Sequence, residues 1–179
     1  MLKLDTKQIF ADAIVELSKT KPVEKITIQN IVDHCGAGRQ TFYNHFRDKE
    51  DLIGYVFMSD ERKCIENLKK GYSAKEQSKL IFDTFIEKKP FYAQVYITHG
   101  QNSLGDVIFE HYADYYINLL EKECGKGGVD EKLKAAVRFY CYGSIGYVRQ
   151  WMKDGMKLSS EELAEIIFDN IPERVKKYI

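Results

Sequence analysis

The sequence predicts an all-α protein: three short helices in a small unit over residues 1–48, then a larger helical unit over 49–179, about nine helices in all. Three observations predict it. Apolar residues recur at helical spacing along the chain, and no segment sustains the period-2 alternation of a half-buried strand. Only three prolines interrupt a sequence rich in Leu, Ile, Lys, Glu and Ala, residues that favour helix. The breaks at Gly36-Ala37-Gly38, Lys89-Pro90, Gly100 to Ser103, Gly125 to Gly128 and Gly155 with Ser159-Ser160 divide the chain into helix-sized lengths.

In chain order, Ile9, Phe10, Ala13, Ile14 and Leu17 form one helical face, with Asp5 or Thr6 as N-cap and an end near Thr20, before Pro22. Thr27 precedes a second helix through Ile28, Ile31 and Val32 that stops at His34-Cys35-Gly36. A third runs from Arg39 to about His45, and a longer fourth from Lys49 to Lys70, with Leu52, Ile53, Val56, Phe57, Ile65 and Leu68 on its apolar stripe. Five further amphipathic segments follow, over Ala74–Lys88, Pro90–Thr98, Leu104–Cys124, Asp130–Asp154 and Ser160–Lys177. The fourth helix makes a rigid connection between the two units.

Composition narrows the function. The chain of 179 residues is 44% hydrophobic and 30% charged, which supports a folded core and excludes a disordered chain. Its 27 Lys+Arg balance 27 Asp+Glu, so whole-chain charge points to no polyanionic partner. Cys35, Cys64, Cys124 and Cys141 have no zinc-finger or CxxC spacing and read as reduced structural thiols. No signal peptide or membrane span is expected, because Asp5, Asp12 and Glu16 interrupt the N-terminus and Pro90 to Gly105 is too polar to cross a bilayer; the expectation is a cytoplasmic protein. There is no GxSxG, no Gly-rich loop after a strand and no metal-ligand cluster, since His111 and Asp114 at i, i+3 are only two groups. The expectation is therefore no enzyme, no metal and no cofactor.

Two short helices joined by a Gly-containing turn, with a third helix before them, match the helix-turn-helix layout whose second helix enters the major groove of DNA. On a helical wheel started at Arg39, Tyr43, Gln40 and Asn44 fall at about 40°, 100° and 140°, while Phe42 and Phe46 fall at about 300° and 340°. Burying the two Phe rings against Ile14, Ile28 and Ile31 turns Arg39, Gln40, Tyr43 and Asn44 outward. Arg suits the guanine edge, Gln and Asn the adenine edge, and hydroxyls a phosphate oxygen.

The stretch Thr27-Ile28-Gln29-Asn30-Ile31-Val32, the turn through Gly36, and Arg39-Gln40-Thr41-Phe42-Tyr43-Asn44-His45-Phe46-Arg47-Asp48-Lys49-Glu50-Asp51-Leu52 resemble the DNA-binding region of TetR-type transcriptional regulators over about residues 6 to 55. The resemblance implies that Thr27 contacts a phosphate, that Arg39 and Gln40 sit in the groove, that Thr41, Tyr43, Asn44 and His45 lie near groove or backbone, and that Lys49 reaches a phosphate. Structural alternatives stand beside these roles: Thr27 as a plain N-cap, His45 as a packed imidazole, Lys49 as a solvated lysine. Cys35 departs from the commoner small residue before the turn glycine, and a buried thiol competes there with a redox sensor. Residues 1–50 carry eight Lys+Arg and seven Asp+Glu, so the unit is only weakly basic, and the expected DNA binding leans on few contacts and is salt-sensitive.

For the larger unit the resemblance implies a homodimer whose last two long helices pair as a four-helix bundle, binding a palindromic double-stranded operator as a regulator, with repression the expected sense. The face it implies holds Gly143, Gly146, Tyr147, Trp151, Ile166, Ile167 and Asn170. Independently, Gly143, Ser144 and Gly146 are small residues inside a helical pattern, which close approach of another helix explains. The segment Tyr140 to Leu158 also resembles a Firmicute-type branch of the family. A small-molecule or protein effector is expected at this unit, with Phe85, Tyr92, Tyr96, His99, Tyr112, Tyr116 and Tyr140 as pocket candidates, beside Phe91, Phe109 and Tyr147. Aromatics at helical spacing equally fill a core. The alternative function is a helix-turn-helix co-regulator acting mainly through a protein partner.

Overall fold

The computed structural model describes residues 5–67, 73–97 and 103–176; these contain ten α-helices, two short 3-10 turns and no strand. Helix α1 (Thr6–Leu17) starts where the Asp5 carboxylate accepts the Lys7 amide at 3.0 Å. Helix α2 (Ile28–Cys35) opens with a reciprocal cap, Thr27 Oγ1 accepting the Asn30 amide and Asn30 Oδ1 accepting the Thr27 amide, and it ends at Gly36 with φ +67°, a left-handed position glycine adopts without strain. Helix α3 (Arg39–Tyr43) is shorter than its periodicity suggests, since the chain turns at Asn44.

Helix α4 (Lys49–Asn67) leads from this trio into the second unit, and its expected last turn through Lys70 lies outside the described residues. Helices α5 (Ala74–Glu87), α7 (Leu104–Cys124) and α9 (Ser160–Asp169) each begin with a serine cap answered by an acidic residue three positions on: Ser73 with Glu76, Ser103 with Asp106, Ser159 with Glu162. Helix α6 (Lys89–Val95) carries Pro90 in its first turn, where the missing N–H has no helical acceptor to lose. Helix α8 (Glu131–Lys153) is capped by Asp130.

Two further elements differ from the sequence expectation. Ser160–Lys177 is not one helix: α9 stops at Asp169, Pro172 interrupts the amide series, and a short α10 (Glu173–Lys176) follows. A 3-10 turn at Val23–Lys25, between α1 and α2, has too few residues to show periodicity.

The core is continuous. In the N-terminal trio Phe10 meets Phe42 edge-on at 5.4 Å between ring centres and Phe46 at 6.3 Å. Further along, α5 packs against α9 and α7 against α8 around Phe82, Phe85, Leu120, Val137, Trp151 and Leu163. Asp60 is buried in the middle of α4; Lys88 Nζ lies 2.6 Å from it and the Tyr92 hydroxyl donates to it at 2.7 Å, which pins α4 to the α5–α6 corner. Burial is the larger of the causes that raise Tyr92 well above the ordinary phenol pKa, and Asp60 adds to it.

Candidate nucleic-acid interface and C-terminal cavity

The outward face of α3 is built from within. Phe42 and Phe46 are buried on Phe10, and this turns Arg39, Gln40, Tyr43 and Asn44 to solvent as the wheel predicts. The four are paired one turn apart: Arg39 Nη2 donates to the Tyr43 hydroxyl at 3.4 Å, and Gln40 Nε2 to Asn44 Oδ1 at 3.1 Å. These i, i+4 contacts limit side-chain freedom before any ligand arrives. Thr41 is half-buried, and half-buried His45 packs its ring 6.5 Å from Phe10. Thr27 is exposed at the start of α2, its hydroxyl oxygen already accepting the Asn30 amide. Cys35 is half-buried and its thiol donates to the Ile31 carbonyl at 3.2 Å.

Lys49 does something neither sequence reading anticipates. Its ammonium donates to the carbonyls of Val23 at 2.9 Å, Ile26 at 3.1 Å and Glu24 at 3.3 Å. Three carbonyls match an ammonium's three donors. Lys49 is neither a solvated lysine nor a side chain extended toward a phosphate; it ties the start of α4 to the 3-10 turn that leads into α2. Because that turn was invisible in the sequence, so was its clamp.

In the second unit a largely apolar cavity of about 70 Å³ lies among α4, α5, α7 and α8. Of the predicted pocket residues, Phe85, Tyr96, Tyr112, Tyr116 and Tyr140 line it, joined by Phe57, Ser78, Ile108, Ser144 and Ile167, and none of the lining side chains is charged. Burial raises the phenol pKa of Tyr96, Tyr112, Tyr116 and Tyr140, so each stays a neutral hydroxyl at physiological pH. Burial likewise pushes the lining thiol of Cys141 up to about 12. Four expectations are corrected: Tyr92 belongs to the Asp60 pin, Phe91 is core, Phe109 stacks on Tyr142 of α8 with 4.0 Å between ring centres, and Tyr147 is exposed on α8. His99 lies outside the described residues.

Comparison with known proteins decides what this arrangement belongs to. Residues 11–56 match bacterial regulatory proteins of the tetR family, and residues 73–173, more than half the chain, match the transcriptional regulator C-terminal region of the same kind. The chain belongs to the TetR family. It is a transcriptional regulator. The HTH-type dhaKLM operon transcriptional activator DhaS of Lactococcus lactis subsp. lactis (strain IL1403) is 27% identical over 129 residues, 65% of this chain and 69% of that protein. The HTH-type transcriptional regulator SAB2452 of Staphylococcus aureus (strain bovine RF122 / ET3-1) is 26% identical over 129 residues, 67% of this chain and 70% of that one. Among solved structures, the dihydroxyacetone kinase operon activator DhaS superposes with a TM-score of 0.67 at 20% identity, over 98% of this chain and 99% of that chain, a likeness of fold.

This TetR-family protein carries a second exposed face, on α8. Phe139 is 81% exposed, Tyr142 61% and Tyr147 42%, and Gly143 and Gly146 lie among them, all within about 140° of the helix circumference. A methyl group placed on Gly143 or Gly146 would meet nothing within 4 Å beyond the adjoining backbone of its own helix. Trp151, predicted for this face, is instead 3% exposed, its indole donating to the Leu158 carbonyl at 3.0 Å, because its position on the helix points to the α5 side. Ile167 also turns inward, lining the cavity while its carbonyl accepts from the Tyr140 hydroxyl. Ile166 is half-buried and Asn170 is exposed. Phe139 and Tyr142 were missed, although each stands four residues before a glycine, Gly143 and Gly146, on the same helical face.

No described helix is long and apolar enough to cross a membrane, and the described residues hold no cluster of three His, Cys, Asp or Glu side chains suited to a metal ion. His111 instead bonds Glu61 of α4 through Nε2 at 2.8 Å, and that bond, opposed by partial burial, raises its pKa.

Proposed function

We propose that this regulator binds a pseudo-palindromic DNA operator as a homodimer through α2 and α3, and that an effector at the C-terminal helices controls the affinity. The observation that carries this is the α3 face, where two buried phenylalanines hold Arg39, Gln40, Tyr43 and Asn44 outward together. Arg39 and Gln40 read base edges; Tyr43, Asn44 and Thr41, with Thr27 at the start of α2, position the protein on the phosphate backbone, and His45 supports the helix from beneath. The functional division falls at residues 1–48 and 49–179, with α4 as the rigid link.

The exposed α8 face with Ile166 and Asn170 of α9 supports dimerisation. Phe139, Tyr142 and Tyr147 supply apolar area around Gly143 and Gly146, where a partner helix approaches closely. Two α3 helices then meet successive major grooves about 34 Å apart. The uncharged, hydroxyl-bearing cavity suits a small neutral effector, which favours one orientation of α4 over another. Repression is the proposed sense; the activator name of the Lactococcus relative supports the opposite sign, and a promoter–reporter fusion reads the sign directly.

The test is selection of bound duplexes from a random pool, then gel retardation at low and moderate salt. Wild type retards the selected duplex, while Arg39→Ala and Tyr43→Ala weaken it without loss of fold. Equal retardation by wild type and both variants would remove α3 from the interface.

A further inference from the structure

The 3-10 turn at Val23–Lys25 is gripped from two sides. Lys49 of α4 holds its carbonyls, and from α6 the Gln94 side chain accepts the Val23 amide proton, Oε1 to N 2.8 Å. Gln94 is itself fixed in place, because its Nε2 donates to the Pro90 carbonyl one turn back, which leaves Oε1 directed at the turn. Val23 therefore has its N–H fixed by the C-terminal unit and its C=O fixed by α4. Two residues past the turn, Thr27 caps α2, so the position of the turn sets where α2 begins and, through the rigid Gly36 turn, where α3 lies.

The other end of the contact reaches the cavity. Tyr96, two residues beyond Gln94, is the C-terminal cap of α6 and lines the cavity wall. Its carbonyl accepts from Arg149 Nε of α8 at 3.1 Å, so this end of α6 is anchored to the helix that forms the opposite wall. Within less than one helical turn, a displacement of Tyr96 carries Gln94 with it.

We propose that Gln94 is a positioning residue: it transmits the state of the C-terminal cavity to the DNA-reading helices through the Val23 amide, by a route that does not pass along α4. The proposal rests on the assignment of α2 and α3 to DNA and of the cavity to an effector, and it adds the bond from the Val23 amide to Gln94. A glutamine amide is suited to the role because its acceptor carries no charge and its bond to a backbone N–H is strong enough to hold a turn and weak enough to break when α6 shifts.

Amide hydrogen exchange on the full chain tests it. In Gln94→Leu, which keeps bulk and removes the acceptor, the Val23 amide exchanges about tenfold faster and residues 26–35 accelerate by a smaller factor, while α9 keeps its protection. Gln94→Glu, which retains an acceptor but loses the Nε2 donor to the Pro90 carbonyl, exchanges at Val23 more slowly than Gln94→Leu. Unchanged exchange at Val23 in Gln94→Leu, acceleration spread evenly into α9, or a Gln94→Glu variant as loose as Gln94→Leu would each overturn the proposal. Coupling to the cavity is read with Ser144→Leu, which fills it from α8, or with Ser78→Leu from α5 should the first not fold. Filling the cavity changes exchange over residues 23–35 at least about threefold when Gln94 is present and leaves it unchanged in Gln94→Leu. Equal responses in the two backgrounds would overturn the route. Because the readout is exchange in free protein, failure of wild type to bind selected DNA would count against the operator assignment and leave this contact standing.

Discussion

The faces of α3 and α8 are both exposed and differ in kind. On α3 an aromatic layer lies beneath and a polar layer lies outside, its members already paired along the helix. On α8 the aromatic layer is itself outside, with Phe139 81% exposed and two glycines leaving open space beside it. A polar face held on a rigid apolar base suits a polar, hydrated polymer whose bases and phosphates are read by directional hydrogen bonds. An aromatic face with gaps at backbone level suits a complementary protein surface, because removing that apolar area from water is favourable. Helix α4 and the clamped 3-10 turn stand between the two and relate one to the other.

The largest effects should come from the layers beneath each face. Phe42→Ala removes the floor of α3 and should destabilise the N-terminal trio by about 3–5 kcal/mol, seen as an early unfolding step in a denaturant titration followed by fluorescence or circular dichroism. Phe139→Glu should leave helix content unchanged and weaken self-association at least about a hundredfold in sedimentation equilibrium. If instead it unfolded the protomer, α8's outer face would be part of the monomer core.

Next in size, Arg39→Ala should cost about 1–3 kcal/mol of operator binding and relax specificity at one position in the selected sequences. Lys49→Met separates two jobs. As a clamp on the turn, Lys49 should contribute about 1–3 kcal/mol of stability while the slope of log affinity against log salt stays at the wild-type value; a slope reduced by about one would restore the phosphate contact. Gly146→Ala has opposed consequences on the two levels. It should stabilise an isolated protomer by up to about 1 kcal/mol through helix propensity and weaken the dimer by crowding a close helix approach.

The smallest effect concerns His111 and Glu61, which join α7 to α4. The His111 pKa is raised from its ordinary 6.5, chiefly by the bond to Glu61, so protonated His111 is favoured in the folded chain. Its stabilising contribution is complete below pH 6.5 and is lost as pH rises through the higher folded value. The difference in thermal midpoint between wild type and His111→Gln should therefore shrink from about pH 5.5 to about pH 8.5, by roughly 1 °C to 4 °C.

The sequence showed the α3 face well because that argument needs only a helical period and two phenylalanines, and both are local. The Thr27 cap, the Gly36 turn and five of the cavity residues were visible for the same reason. Trp151, Tyr92 and Lys49 were not, because their partners, Leu158, Asp60 and the 23–26 carbonyls, are set by tertiary placement. A tryptophan near an expected interface satisfies its indole N–H within its own chain, and nothing in the spacing of residues reveals which carbonyl receives it. The break at Pro172 was legible in principle: proline cannot donate, and the helix stops before it.

The most direct measurement is the stoichiometry and spacing of the complex with a selected duplex, from sedimentation of labelled DNA with wild type and Phe139→Glu. Two protomers on one duplex, with half-sites about one helical turn or a multiple apart and Phe139→Glu failing to form the doubly occupied species, is the predicted result. A single protomer per duplex, or two whose binding is indifferent to Phe139→Glu, would contradict the pairing of an α3 reading face with an α8 dimer face.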